Sequence, residues 1–380
     1  MKPPSWKLPY AYLKKQFERP GTYLKKIEAV ARRGDFTLGH EVAVFEESAA
    51  RMLGVKYVVG VGNGTDALYL SLKAIGIGPG DEVITAPNSF VATAAAIALT
   101  GARPVFVDVR DDYDIDPDLV GKAITKKTKA IIPVHLTGQP SDMKPIMAIA
   151  KRHNVAVVED VAQAFLARYD GKYLGTIGTA GAYSFHPMKI LHVWGDGGMI
   201  ATNDMTLAAK LKLWRNHGLK TRNEVEFFAH NSRLDTIHAA IASVLLPQMP
   251  GVVKKRQALA RMYDRLLRPL DQYVHVPDRN LCVVPIVHTY TNYVVMAKHR
   301  DELIAYLAKQ GIEAVIQYPI PIHLQKAARY LGYKKGDFPA CERQANEIVT
   351  LPCNQYMTLK DVHFVADTMG AFYAKRAIAI

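Results

Sequence analysis

Short apolar segments with strand character alternate with helical stretches through the first two thirds of this 380-residue chain, and that alternation constrains the fold more than any other feature. Residues 66–75 place Leu68, Leu72 and Ile75 at helical spacing. A Gly- and Pro-rich turn at 76–81 leads to a strand at 82–85, an alanine-rich helix at 90–99 and a strand at 104–108. A strand at 130–134, a helix at 143–153 and a strand ending at Asp160 follow. Strands separated by helices predict an α/β fold, a three-layer, mostly parallel sheet covered by helices. Ligands bind such sheets beyond the carboxyl ends of the strands. Asp160 and the turn before Asn88 lie at such ends.

A strand at 199–203, a helix at 206–216 and a strongly apolar helix at 234–246 continue the pattern. Pro247 and Pro250 then interrupt it, which predicts a boundary there. Residues 1–249 form a large α/β domain with an N-terminal arm, and residues 250–380 a smaller C-terminal α+β domain. The smaller domain is expected to hold a basic helix from 253, strands at 282–287, 291–296 and 313–317, a helix at 300–310 and a terminal helix from about 359. No internal repeat or low-complexity tract is visible.

Hydrophobic residues make up 49% and charged residues 22%, the balance of an ordinary soluble globular protein. Cys282, Cys341 and Cys353 are far apart, so neither a disulfide framework nor a metal site is indicated and a cytoplasmic location is expected. The N-terminus carries no apolar signal core, and apolar stretches such as 91–99 are too short to span a bilayer, so no membrane association is expected. The net charge of +13 admits three readings. They are nucleic-acid binding, recognition of anionic small molecules, and a solvated basic surface without a partner. The basic clusters are short and scattered, and no nucleic-acid-binding motif accompanies them, so nucleic acid is not expected.

The chemistry concentrates around Lys189. This residue lies in Tyr183-Ser184-Phe185-His186-Pro187-Met188-Lys189, about thirty residues after the strand that ends in Glu159-Asp160, with Gln163 close behind. A carboxylate at a strand end and a lysine in a turn after a Ser-Phe strand suit pyridoxal 5′-phosphate (PLP). The lysine holds the aldehyde as a Schiff base, and the carboxylate keeps the pyridine nitrogen protonated. Free lysine, with a pKa of about 10.4, is a poor nucleophile at neutral pH, so burial or a neighbouring cation has to lower it. A lone lysine in a Pro-containing turn is ordinarily a surface residue, and it is the surrounding motifs that favour catalysis.

Gly60-Val61-Gly62-Asn63-Gly64-Thr65-Asp66 precedes the first clear helix. A glycine-rich turn entering a helix N-terminus suits a phosphate, and Thr65 adds a hydroxyl. The spacing is not that of a dinucleotide fingerprint, and a plain N-cap turn is the simpler alternative. Ser184 is a second phosphate donor or else a buried strand serine. Phe90 opens a helix after a strand, where it would stack on a cofactor ring or pack in the core.

These residues, in this order and spacing, resemble the DegT/DnrJ/StrS group of PLP-dependent sugar aminotransferases, in the fold type I (aspartate aminotransferase) superfamily. The resemblance runs through Asp35-Phe36-Thr37-Leu38-Gly39, Gly64-Thr65-Asp66-Ala67-Leu68, Glu159-Asp160-Val161-Ala162-Gln163-Ala164, Lys189, Gly195-Asp196-Gly197-Gly198, Asn231-Ser232-Arg233-Leu234-Asp235 and Tyr318-Pro319-Ile320-Pro321-Ile322-His323-Leu324. It implies that Lys189 binds the cofactor aldehyde, Asp160 pairs with the ring nitrogen, Gln163 bonds the phenolic oxygen and Phe90 stacks on the ring. Gly64, Thr65 and Ser184 would hold the phosphate. Asn231 would reach the neighbouring subunit's site, making a homodimer with shared active sites, and His323 would lie near the substrate. The implied activity moves an amino group from glutamate or glutamine to a keto-sugar, most simply a nucleotide-linked one. A cyclitol ketone, a sugar phosphate or a non-catalytic regulatory or nucleic-acid-binding role are the alternatives. Two departures, Ile190-Leu191-His192 after the lysine and Phe165 after Gln163-Ala164, are expected to reshape the acceptor pocket. A family branch of dehydratases carries histidine in place of the lysine; Lys189 points to transamination.

Overall fold

A computed structural model describes residues 6–278, 281–282 and 284–377; the first five residues of the arm and residue 283 of the expected strand at 282–287 lie outside them. The central sheet has seven strands in the order Tyr57–Val61, Gly198–Thr202, Ala180–Ser184, Ala156–Asp160, Thr128–Ile131, Glu82–Thr85 and Arg103–Phe106. Gly198–Thr202 runs antiparallel to both neighbours. The other pairings are parallel, as the strand–helix alternation requires.

Alternate residues of each strand enter opposite cores. Val59, Val83, Ala130, Val158 and Ile200 pack on one face with residues of the helices Gly64–Ala74, Val91–Leu99 and Met205–Trp214. Val58, Ile84, Ile131, Val157 and Met199 pack on the other with the helices His40–Leu53, Met143–His153 and Thr236–Leu245. This is the expected three-layer arrangement, and the carboxyl ends of its parallel strands share one edge. A separate core joins the antiparallel strands Val274–His275, Tyr293–Ala297 and Ile348–Leu351 to the helices Arg300–Lys309 and Leu359–Ala377.

The prolines expected to break the chain do not. A helical run continues from Thr236 to Leu270, because Pro247 and Pro250 fall in the first turns of their helical segments, where a missing N–H leaves no bond unmade. The run is apolar and long enough to cross a membrane, but half of its most apolar window is buried inside the protein. Met249 and Val253 pack in a core of the large sheet, and Leu259, Tyr263 and Leu267 in the smaller one. The expected strand at 313–317 shrinks to a single bridge, Val315 with Thr350, and the chain turns at Tyr318, whose φ is 56°. The strand at 282–287 shrinks to Ile286–Val287, which pairs with Arg168–Tyr169. Two N-terminal helices, Gly21–Arg33 and His40–Leu53, end at Gly34 and Gly54 with φ of 68° and 66°, the left-handed stop that glycine permits.

The paired acids of the strand Ala156–Asp160 point to opposite faces. Glu159 is fully buried and anchors the loop after the small hairpin. One oxygen accepts from Ile177 N at 2.8 Å and Gly178 N at 2.7 Å, the other from Gly175 N at 2.7 Å. Ser141 N donates to His135 Nδ1, which leaves the ring proton on Nε2, 3.2 Å from Glu159. Glu159→Ala strands these buried donors, and urea unfolding is expected to show a loss of about 3 kcal/mol or more. An unchanged unfolding midpoint would mean that water replaces the carboxylate and that the loop does not depend on it.

Candidate active site

A cleft of about 590 Å³ opens at the carboxyl ends of the parallel strands. Gly64, Thr65, Phe90, Asp160, Gln163, Ser184 and Lys189 all line it, although they come from four separate stretches of the chain.

The phosphate end is built by close backbone approach. Asn63 caps the helix Gly64–Ala74, its Oδ1 accepting from Asp66 N at 2.8 Å. The first two amides, of Gly64 and Thr65, have no acceptor within the helix and face the cleft end. A Cβ on Gly64 would lie 2.6 Å from Cβ and 3.0 Å from Oγ of Ser184, so only glycine lets the helix start sit against this strand end. Ser184 Oγ accepts from His186 N at 3.3 Å, which leaves its proton to donate. Two amides and two hydroxyls around a helix N-terminus fit a phosphate.

Asp160 ends the central strand with 5% exposure. Its Oδ2 accepts from Thr93 Oγ1 at 2.8 Å and its Oδ1 from Ala162 N at 3.1 Å. Burial raises its pKa above the usual carboxylate range, while the Thr93 and Ala162 bonds and the nearby Lys189 charge act against that rise. Burial lowers the pKa of Lys189, and the Asp160 charge limits the fall. The turn that carries the lysine is held by Lys189 N to His186 O at 2.8 Å and by Gln16 Nε2 to Pro187 O at 2.8 Å. An amine of lowered proton affinity and a buried carboxylate that lacks a full counter-charge fit an aldehyde cofactor with a basic ring nitrogen.

Phe90 is 57% exposed, so it is not a core residue; it stands at the N-cap of the helix Val91–Leu99, 6.0 Å from the Tyr318 ring. Gln163 is buried, with Oε1 accepting from Thr137 N at 2.9 Å and Nε2 donating to Tyr318 Oη at 2.8 Å.

Two expected site residues stand apart from the cleft. Asn231 is exposed on the surface, in a bridge with Asn216. His323 is buried away from the cleft, with Nε2 3.0 Å from Glu342 Oε1 and its ring edge-on to Phe338. The residues expected to reshape the pocket do not line it. Ile190, Leu191 and His192 are buried in the core, His192 against Phe17, and Phe165 packs on Tyr183. Burial pushes the His192 pKa down to about 4, so the ring is neutral there.

Sequence reasoning missed Thr93, Tyr10, Asn292 and Tyr318 as lining residues. Thr93 had a signal, a polar residue one turn after Phe90 in an otherwise apolar helix. Tyr10 and Asn292 had none, since the fold brings them from distant segments.

A sequence profile of the DegT/DnrJ/EryC1/StrS aminotransferase family matches residues 20–370. A protein of Geobacillus stearothermophilus named as a pleiotropic regulatory protein is 43% identical over 96% of this chain and 98% of its own length. A dTDP-3-amino-3,4,6-trideoxy-alpha-D-glucose transaminase of Micromonospora megalomicea subsp. nigra is 40% identical over 90% of this chain and 92% of its own. The crystal structure of S. venezuelae DesV, in complex with a ketimine intermediate, superposes with a TM-score of 0.92 at 35% identity, covering 96% of this chain and 98% of that one. The structure of NtdA from Bacillus subtilis, with bound cofactor PMP, superposes with a TM-score of 0.89 at 30% identity, covering 97% of this chain and 86% of that one. The cofactor is PLP, whose amino form is PMP. With a lysine, a carboxylate and a glycine-rich helix start gathered at one edge of a fold type I sheet, the chain belongs to the DegT/DnrJ/EryC1/StrS aminotransferase family.

Proposed function

We propose that the protein transfers an amino group from glutamate or glutamine to the ketone of a nucleotide-linked sugar. The observation that carries this reading is the meeting of Lys189, Asp160 and Gln163 in one cleft. Relatives named as dTDP-sugar and UDP-sugar aminotransferases, 38–40% identical, support a nucleotide-linked acceptor. The net charge of +13 suits an anionic donor and acceptor. A regulatory role alone does not need a lysine, a buried carboxylate and a phosphate cradle around one space.

Bound PLP supplies an electron sink for the carbon that loses or gains a proton. The residues of this chain do the rest. Asp160 stabilises positive charge at the ring nitrogen, and Thr93 and Ala162 N aim its carboxylate. Gly64, Thr65 and Ser184 hold the phosphate. Lys189, freed of its ammonium charge, moves a proton at the reacting carbon. Phe90 would stack on the ring, and Gln163 would bond the phenolic oxygen. Asn231 acts in the partner's site, which makes the active unit a homodimer. Its exposed position outside its own cleft supports this, as does the near-complete exposure of Phe228 beside it. A cytoplasmic location accords with a sequence of only three, widely spaced cysteines.

The acceptor is tested with PMP-loaded protein and a panel of dTDP- and UDP-linked keto-sugars, sugar phosphates and keto-cyclitols. Return of the visible absorption of the PLP form is expected only with nucleotide-linked keto-sugars. Return with cyclitols alone would sink the sugar reading.

Lys189→Ala and Lys189→Arg are expected to lower turnover by about a thousandfold or more, with the thermal melt retained. Arginine keeps a charge but neither attaches the aldehyde nor accepts a proton at neutral pH. Substantial turnover by either variant would remove Lys189 from the reaction.

The shared site is tested by co-expressing Lys189→Ala and Asn231→Ala subunits under two tags. One site of the hybrid carries both defects and the other neither. About half of the wild-type activity per dimer is expected, against severe loss in each parent. No recovery in purified hybrids would place Asn231 outside the partner's site.

A further inference from the structure

At Gln163 the direction of every hydrogen bond follows from one obligate donor. The backbone N–H of Thr137 lies 2.9 Å from Gln163 Oε1, and a backbone N–H only donates. The Gln163 amide is thereby oriented, oxygen toward Thr137 and NH2 toward the cleft, where Nε2 stands 2.8 Å from Tyr318 Oη. Asn292 approaches the same Gln163 oxygen at 3.1 Å. Two amide oxygens face to face would repel, so Asn292 must present its NH2 to Gln163 and its oxygen elsewhere. That oxygen meets the Tyr10 hydroxyl at 2.8 Å, and Tyr10 has to be the donor. Tyr318 already accepts from Gln163 and keeps its own proton to donate into the cleft.

The surroundings hold this order in place. Thr137 adopts φ 61°, a left-handed conformation uncommon for a β-branched residue, at the point where its N–H meets Gln163. Next to it a Cβ on Gly138, at φ 99°, would lie 2.5 Å from Thr289 Oγ1. Tyr10 is pinned by its own N–H to Glu313 Oε2 at 2.7 Å, and Leu8 bridges to Ile312. Asn292 and Gln163 are both buried at 6% exposure, where a reversed amide leaves an unpaired donor or acceptor.

We infer that Tyr10 and Asn292 are positioning residues for Gln163. Tyr10 fixes which end of the Asn292 amide faces Gln163, and Asn292 with Thr137 N–H holds the Gln163 NH2 toward the phenolic oxygen of the cofactor. The inference rests on the proposed role of Gln163 and assigns the N-terminal arm a part in it.

The test is a spectral pH titration of the PLP-loaded protein, read as the pH at which its visible band is half converted. A donor on the phenolic oxygen draws negative charge from it, so the proton shared with the lysine nitrogen is held less tightly. Loss of the donor raises the midpoint. Gln163→Leu is expected to raise it by about one pH unit. Asn292→Leu moves it the same way by about half as much, and Tyr10→Phe by a few tenths. Adding Tyr10→Phe to Gln163→Leu moves it no further, because the effect passes through Gln163. These substitutions leave the charged groups that line the cleft, Asp66, Asp160, His186, Lys189 and Asp196, unchanged. A shifted Gln163→Leu beside unshifted Asn292→Leu and Tyr10→Phe overturns the inference, and so does a fully additive double variant. No shift in Gln163→Leu overturns the role of Gln163 itself and the inference with it. If Asn292→Leu does not fold, Tyr10→Phe, which removes one hydroxyl, decides alone.

Discussion

A carboxylate at the buried end of a central strand has to be answered by donors and by positive charge, and Asp160 is that carboxylate. The Thr93 hydroxyl, the Ala162 amide and Lys189 each answer part of it, yet burial still keeps its proton affinity raised. The same burial keeps that of Lys189 lowered. An acid with a raised value contributes stability while protonated, and that contribution is lost as the pH rises through its folded value. An amine with a lowered value contributes while neutral, and that contribution is lost as the pH falls through its folded value. Between those limits the interior favours neither charge by itself. A ligand that places a protonated ring nitrogen on Asp160 and takes the amine of Lys189 into a covalent bond relieves both conflicts at once. The raised proton affinity of Asp160 and the lowered one of Lys189 thus accord with the cofactor-holding roles proposed for them.

The sheet turns that local conflict into a site. Five parallel strands in a row, from Ala180–Ser184 to Arg103–Phe106, end at one edge. That edge collects Asp160, Ser184 and the helix start at Gly64 with no long loop between strand and site. Strand alternation also divides the labour of Glu159-Asp160. Glu159 binds three amides of the loop at 175–178 beneath the opposite face, and Asp160 faces the cleft. The contact of Gly64 with Ser184 then sets how near the phosphate cradle comes to the strand ends.

What was legible in the sequence follows a physical division. Strands and helices around the large sheet were legible because short apolar runs alternate with helical stretches, and the strand Glu82–Thr85 and the helix Met143–His153 fall where they were expected. Seven of the nine expected site residues line one cleft, because they sit at strand ends, at helix starts or in the short turns that follow them. Pro247 was misleading, since a proline in a first helical turn looks, in sequence, like a proline that ends a helix. His323 stands in a Tyr-Pro-Ile-Pro-Ile-His string that resembles the family's, and nothing local shows that Glu342 and Phe338 hold its ring in the interior. The expectation that Phe165 and His192 reshape the acceptor pocket rests on their departing from the family's pattern two and three positions after site residues. A turn there carries them into the core instead.

Arg256 shows why the remaining part of the site was invisible. Its guanidinium is fully buried in the helix Met249–Leu267, which runs from one core into the next. Nη1 donates to the carbonyls of Tyr290 and Thr291 at 3.1 Å and of Cys353 at 2.9 Å, and Nη2 to the Tyr12 hydroxyl at 2.6 Å. A charge of this kind, desolvated and bound by oxygen dipoles, tolerates little displacement of its partners. It therefore fixes the backbone just before Asn292, and beside it Thr291 Oγ1 holds the Gln163 carbonyl at 2.5 Å. The large sheet supplies the floor of the cleft with its acid, its lysine and the helix start at Gly64. Thr137 orients Gln163 from the side of the large sheet, and Asn292 and Tyr10 from the side of the smaller core and the N-terminal arm, which Arg256 ties together alongside the Tyr10–Glu313 and Leu8–Ile312 contacts. No periodic pattern encodes such an arrangement. It exists only once both cores have formed and been brought into register by the helix they share.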